Sequence, residues 1–255
     1  ISHGLTVTVT DMDGTEVDST ITVNVVDDVP SISASDVTVT EGTSISGEIS
    51  YSYGADTPAG STVTVKDGTP VEGTSNQWRV EHGVVTLNGD GTFTFKADAN
   101  IAETVTSQEI VFQITDADGD MDEALVTVTL EQAQAPGEQK GVVVDEAALS
   151  VGSNPDSNAE YAVVTVEGYT IIDGGTGAHG NIEQVNGQWV YTLTSPVTGA
   201  PQNDGAQFTG SDTVTITVRD DNGNTFEVDI PVSIKDDVPS ISASDVTVTE
   251  GTSIS

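Results

Sequence analysis

Runs such as Thr6-Val7-Thr8-Val9, Val37-Thr38-Val39-Thr40, Thr62-Val63-Thr64-Val65 and Thr213-Val214-Thr215-Ile216 alternate a hydroxylated residue with an apolar one. A period of two sends successive side chains to opposite faces, so each run predicts a strand with one apolar face. The β-branched residues that dominate these runs suit a half-buried pleated surface. Between them lie Gly, Asp and Asn; Asn88-Gly89-Asp90-Gly91, set between Val84-Val85-Thr86-Leu87 and Phe93-Thr94-Phe95, predicts a hairpin. No segment sustains a helical period, so the expected fold class is all-β.

The pattern repeats. The string DDVPSISASDVTVTEGTSIS occurs from Asp27 to Ser46 and again from Asp236 to Ser255, 209 residues on. Three segments share a plan of alternating strand, acidic Gly turn, second alternating strand and Pro. Their first turn acids, Asp11, Asp116 and Asp220, precede Pro30, Pro136 and Pro239 by 19, 20 and 19 residues. The chain therefore divides into the closing hairpin of one module (1–29), two complete modules (30–135 and 136–238) and the opening strand of another (239–255). Each complete module holds about seven short strands in about 100 residues, the pattern of an immunoglobulin-like β-sandwich. Tandem sandwiches in an extended array, cut within modules at both ends, are the expected architecture. Trp78 and Trp189, each preceded by Gln, are expected at matching core positions of the two modules.

Charge changes the picture more than size does. There are 41 acidic residues against 6 Lys plus Arg, a formal net charge of −35, and no Cys. So few cations leave nothing to displace counterions from phosphate, which excludes nucleic acid as a partner. The same field repels anionic headgroups. No apolar stretch of membrane-spanning length and no export-signal core occurs, so membrane insertion and an N-terminal export signal are not expected. Without Cys there are no disulfides, thiolate chemistry or Cys-type zinc sites. Self-repulsion on this scale calls for a neutralising cation.

The acids cluster where a cation would suit them. Asp116-Ala117-Asp118-Gly119-Asp120-Met121-Asp122 places alternate carboxylates in a tight turn, and Asp11-Met12-Asp13-Gly14 and Asp220-Asp221-Asn222-Gly223 occupy the matching turns. Calcium takes six to eight oxygens, which such a turn can converge on one point. It is not an EF-hand: counting from Asp116, Met121 and Thr127 stand where Gly and Glu belong. The alternative is an ordinary Asp-Gly turn on a solvated tip. In a sandwich of this kind the loop between the last two strands lies at the end where the chain enters. Asp27 and Asp28 of the entering linker, Val26–Pro30, are thus expected beside Asp116, Asp118 and Asp120. Like charges so close repel strongly at an effective dielectric of about 20 unless a cation joins them. At the second junction, 131–140, no paired Asp occurs and Asn222 replaces one acid, so weaker or different metal binding is expected at Asp220, Asp221 and Asn222, with Glu138 nearby.

Modules closing on an Asp-x-Asp-Gly hairpin, an alternating strand and Asp-Asp-Val-Pro resemble the immunoglobulin-like repeats of giant type I-secreted RTX adhesins of Gram-negative bacteria, the extender regions of biofilm and ice-binding adhesins. The resemblance implies calcium-rigidified domains outside the outer membrane, whose partners are neighbouring repeats of the same chain and which project distal domains that bind a surface. Carried onto this sequence, calcium ligands fall on Asp27, Asp28, Asp116, Asp118 and Asp120. The junction at Pro136 departs from the pattern.

Two other functions compete with this reading. A calcium-dependent carbohydrate or host-surface binding module would need an aromatic platform, for which Tyr51, Tyr53, Trp189 and Tyr191 are the candidates. An enzyme is not expected, because His3, His82 and His179 lie in no nucleophile or metal motif. Gly174-Gly175-Thr176-Gly177-Ala178-His179-Gly180-Asn181-Ile182 approximates a calcium-binding β-roll nonapeptide, but His179 replaces its Asp and the motif occurs once. A flexible Gly-rich loop is the expected reading.

Overall fold

A computed structural model describes residues 2–24, 26–55, 57, 63–197, 207–237 and 243–244; for 207–211 it describes the backbone only. The opening strand expected over 239–255 lies almost entirely outside these residues. The chain forms two compact units, Ile1–Ala133 and Gln134–Ser255.

The first unit begins with a hairpin, β1 (Ser2–Thr10) and β2 (Glu16–Asn24), paired antiparallel from Ser2↔Asn24 to Thr10↔Glu16. It forms a two-stranded sheet of its own with every described residue exposed, including Leu5, Val7, Val9, Ile21 and Val23. In the second unit, 209 positions on, the equivalent residues Val214, Ile216, Val218, Ile230 and Val232 are all buried.

The rest of this unit is a sandwich. Its strands are β3 (Ser31–Ala34), β4 (Val37–Thr40), β5 (Ser44–Ser52), β6 (Thr64–Val65), β7 (Thr69–Pro70), β8 (Gln77–Val80), β9 (Gly83–Leu87), β10 (Thr92–Ala97), β11 (Ser107–Thr115) and β12 (Met121–Glu131). Among the described residues they form a six-stranded sheet ordered β3-β5-β10-β9-β8-β7 and a four-stranded sheet ordered β4-β12-β11-β6. The entering strand divides between the sheets: β3 pairs antiparallel with β5, then β4 runs parallel to β12, from Val37↔Val128 to Thr40↔Glu131. Inward residues of both sheets make one core. Phe93 of β10 and Phe112 of β11 meet across it with ring centroids 4.9 Å apart. Alternate burial along β12 follows its apolar alternation. The hairpin expected at Asn88–Gly91 is present, with Phe93 opposite Leu87 and Gly89 and Gly91 at φ of 76° and 85°.

In the second unit, β13 (Val142–Asp145), β14 (Tyr161–Val163), β15 (Thr170–Asp173), β16 (Gly175–Thr176), β17 (Gly180–Val185), β18 (Gln188–Leu193), β19 (Gln207–Arg219) and β20 (Thr225–Lys235) build sheets ordered β13-β20-β19-β15 and β14-β18-β17-β16, with a 3-10 turn at Glu146–Ala148. Its core includes Val144, Ile182, Tyr191, Leu193, Val214, Ile216, Ile230 and Val232.

Both Trp residues pack against their unit's core, but their positions do not match. Trp78 lies on β8, before the turn into β9, whereas Trp189 lies on β18, after the turn from β17. Strand order sets β18 where β10 stands in the first unit. Gly83 against the Phe95 ring and Gly180 against the Tyr191 ring mark the same register, which puts Trp189 in the place of Phe93. The Gly-rich segment is no loose loop either. Gly175 and Thr176 pair with Ile182 and Asn181, and buried Asp212 accepts from the amides of Ala178 at 2.8 Å and His179 at 2.9 Å.

Candidate metal centre

The turn between β11 and β12 is built around Asp116. Its Oδ1 accepts from the amides of Gly119 at 3.1 Å and Asp120 at 2.8 Å, and its own amide donates to the Asp120 carbonyl at 3.0 Å. Gly119 supplies the φ of 105° that closes the turn. Asp116 is 4% exposed, and its Oδ2 is buried with no hydrogen-bond partner. A buried carboxylate oxygen without a donor is costly, and in native proteins such an atom calls for an explanation, such as an ion.

Three carboxylates gather beside it. Ligand oxygens of Asp27, Asp118 and Asp120 lie within 4.8 Å of one another, the only such group of acids among the described residues. Asp27 and Asp118 are exposed and Asp120 is half-buried. The Asp118 carboxyl is pushed above its ordinary range, first by its contact with the Asp116 carboxyl, then by burial and the charges of Asp116, Asp120 and Asp27.

The linker is pinned where it brings Asp27 to this turn. Asp122 Oδ2 accepts from the Ile32 amide at 2.9 Å, and Pro30 is buried. Asp28 turns elsewhere: its Oδ2 accepts from the Ala55 amide at 2.8 Å, and its carboxylate lies so close to Gly54 that a Cβ there would sit 2.3 Å from it. Of the five acids expected at this point, Asp27, Asp118 and Asp120 converge beside Asp116, while Asp28 serves as a clasp for the linker. The linker-pinning role of Asp122 was not foreseen; its signal was its place as the last of the alternate acids Asp116, Asp118, Asp120 and Asp122, at the second residue of β12.

The donor set fits a hard cation. Carboxylate oxygens without sulfur or imidazole match calcium or magnesium, and the orphaned Asp116 Oδ2 supplies a buried oxygen with no other partner.

The corresponding turn of the second unit differs. Asp220 Oδ1 accepts from the amides of Asn222 at 2.9 Å and Asn224 at 2.8 Å, and its Oδ2 accepts from the Asn224 side-chain amide at 2.8 Å. Burial raises the Asp220 carboxyl, but these bonds outweigh it and hold the group below the usual carboxylate range. Asp221 and Asn222 are exposed and Asp220 is half-buried. Glu138 lines one shallow groove together with Thr213 of β19 and Glu227 and Asp229 of β20.

Other candidates disperse. Tyr191 is fully buried, Trp189 is half-buried with one side on the core and lines a shallow surface groove, and Tyr51 and Tyr53 stack edge-on at 5.6 Å. His82 Nε2 lies 3.8 Å from Glu81, and His179 Nδ1 lies 3.5 Å from the Ser195 hydroxyl.

Part of the chain matches a known family. Residues 27–129 match the family model described as Bacterial Ig domain, which spans the entering linker and the first sandwich up to β12. The fold is an immunoglobulin-like β-sandwich. No curated protein matches the sequence. Among solved structures, a Ca2+-stabilized adhesin with which an Antarctic bacterium reaches out and binds ice aligns at 16% identity over 91% of this chain and 55% of its own, with a TM-score of 0.30. A 1.5-MDa bacterial ice-binding adhesin aligns at 16% identity over 91% of this chain and 72% of its own, with a TM-score of 0.33. An endo-fucoidan hydrolase aligns at 12% identity over 92% of this chain and 34% of its own, with a TM-score of 0.31. Among the described residues, no helix is long and apolar enough to cross a membrane.

Proposed function

We propose that this chain is a non-catalytic spacer, part of an array of immunoglobulin-like modules in a large bacterial surface adhesin, and that calcium fixes the linker 26–30 to the sandwich it enters. The reading takes its adhesive setting, type I secretion and location outside a Gram-negative outer membrane from the sequence resemblance. Neighbouring modules of the same chain are the partners, and the surface ligand belongs to domains elsewhere in the adhesin.

One observation carries the calcium reading: oxygens of Asp27 from the linker and of Asp118 and Asp120 from the turn converge within 4.8 Å, and the Asp118 carboxyl meets that of Asp116, whose Oδ2 is buried and unpartnered. Asp27, Asp116, Asp118 and Asp120 would hold the ion. Bound calcium supplies charge neutralisation and a multidentate bridge. The protein's own part is to present the ligands. Asp28 and Asp122 anchor the linker on either side of Pro30, the Asp116 Oδ1 bonds shape the turn, and Gly119 allows it. Without the ion the four carboxylates repel, and the linker is held by its clasps alone.

The test compares the intact chain in calcium and in chelator, by calorimetry and small-angle scattering. Calcium should raise the melting temperature and narrow the distribution of end-to-end distances, and Asp118→Asn with Asp120→Asn should abolish both effects. Identical melting and scattering in the two conditions would overturn the proposal.

A further inference from the structure

The turns Asp116–Asp120 and Asp220–Asn224 are the same length, begin with the same residue and carry Gly at the same position. Both first aspartates accept two turn amides on Oδ1. They part at Oδ2. In the first turn that atom is buried without a partner, and the fifth residue is Asp120, a further negative charge. In the second turn the fifth residue is Asn224, 1% exposed, and its side-chain amide donates to Asp220 Oδ2 at 2.8 Å.

We infer that Asn224 is a built-in substitute for the cation: its amide satisfies the oxygen that a metal would take, so the second turn closes without metal and the chain's calcium response resides in the first unit. The inference rests on the calcium reading of the first turn and extends it to the residue that decides between the two turns. An amide can neutralise a carboxylate lone pair by donation, but it adds no charge that a cation must balance. Occupation of Oδ2 and the loss of one acid remove both requirements of a hard-cation site, oxygen count and negative charge. The segment preceding this sandwich agrees, since it offers Lys140 and Glu138 and no paired Asp. Asp220, Asp221 and Asn222 thus do not fit the calcium site expected of them.

The experiment is a calcium titration of the intact chain followed by amide NMR signals of both turns. In the natural chain the signals of 118–120 should move and those of 222–224 should stay. In Asn224→Asp, which withdraws the amide and adds a charge, the signals of 222–224 should become calcium-responsive, with an affinity about tenfold or more above that of the natural turn. If this variant folds only when calcium is added, the same inference is supported. Asn224→Ser, which withdraws the amide without adding charge, should lower the melting temperature equally in calcium and in chelator. The inference is overturned if 222–224 in the natural chain respond as strongly as 118–120, if Asn224→Asp gains no response, or if calcium restores the stability of Asn224→Ser. A silent first turn alongside a responsive Asn224→Asp would defeat the proposed joint and leave the role of Asn224 standing.

Discussion

The hydroxyl of Tyr191 donates to Asp212 Oδ2 at 2.7 Å inside the second sandwich, where Tyr191 is fully buried and Asp212 is 4% exposed. Asp212 also accepts from the amides of Ala178, His179 and Thr213, so one carboxylate ties the β16–β17 turn to the bulged start of β19. Burial, then the Asp212 bond and charge, push the phenol well above its usual range. Tyr191→Phe should lower stability by about 1.5–3 kcal/mol, the range for a hydrogen bond to a charged group, in urea unfolding followed by Trp189 fluorescence in a Trp78→Phe background.

The same carboxylate gives a pH dependence. Burial raises the Asp212 carboxyl, but the bonds from Tyr191, His179, Ala178 and Thr213 outweigh it and set the group below the usual range. Folding therefore favours its ionised form. The stabilisation is complete above the unfolded value of about 3.9 and is lost as pH falls through the lower folded value. Acid unfolding of Asp212→Asn should be less steep in that window than that of the natural chain, measured by circular dichroism from pH 5 downward as an approximate starting point.

Asp118→Asn should change sign with the ion. In chelator it removes one of four crowded carboxylates, and the melting temperature of the first unit should rise. In saturating calcium it removes a ligand, and the melting temperature should fall. Calorimetry of both proteins in both conditions decides this, and a shift of one sign in both would count against a shared site.

Glu41 is 5% exposed and accepts from the Ile101 amide at 2.7 Å and the Ala133 amide at 3.0 Å, joining the end of β4 to two distant segments. Glu41→Gln replaces one acceptor oxygen by a donor that faces an N–H, so a loss of about 1–3 kcal/mol is expected. Phe112→Ala, which empties the contact with Phe93, should cost about 3–5 kcal/mol. Because each unit has its own core, hydrogen exchange of both variants should quicken in β10–β12 and stay unchanged in β19–β20.

Features set by neighbours in sequence were legible before the structure. Alternation in Val126–Leu130, the Asn88–Gly91 turn and the Asp116–Asp120 turn are local patterns, and the strands and hairpins follow them. Roles that depend on distant partners were not. Asp28 and Asp27 are indistinguishable in sequence, yet one meets an amide 27 residues away while the other meets the turn. Asp122 pins an amide 90 residues back along the chain. Trp78 and Trp189 share a local Gln-Trp context, but strand order, which that context does not encode, sends them to different places.

The ribbon β1–β2 presents Leu5, Val7, Val9, Ile21 and Val23 to water at positions whose counterparts line the interior of the second sandwich. Such a strip is adhesive in the colloidal sense: wet hydrocarbon beside open strand edges invites any chain that offers a matching extended segment.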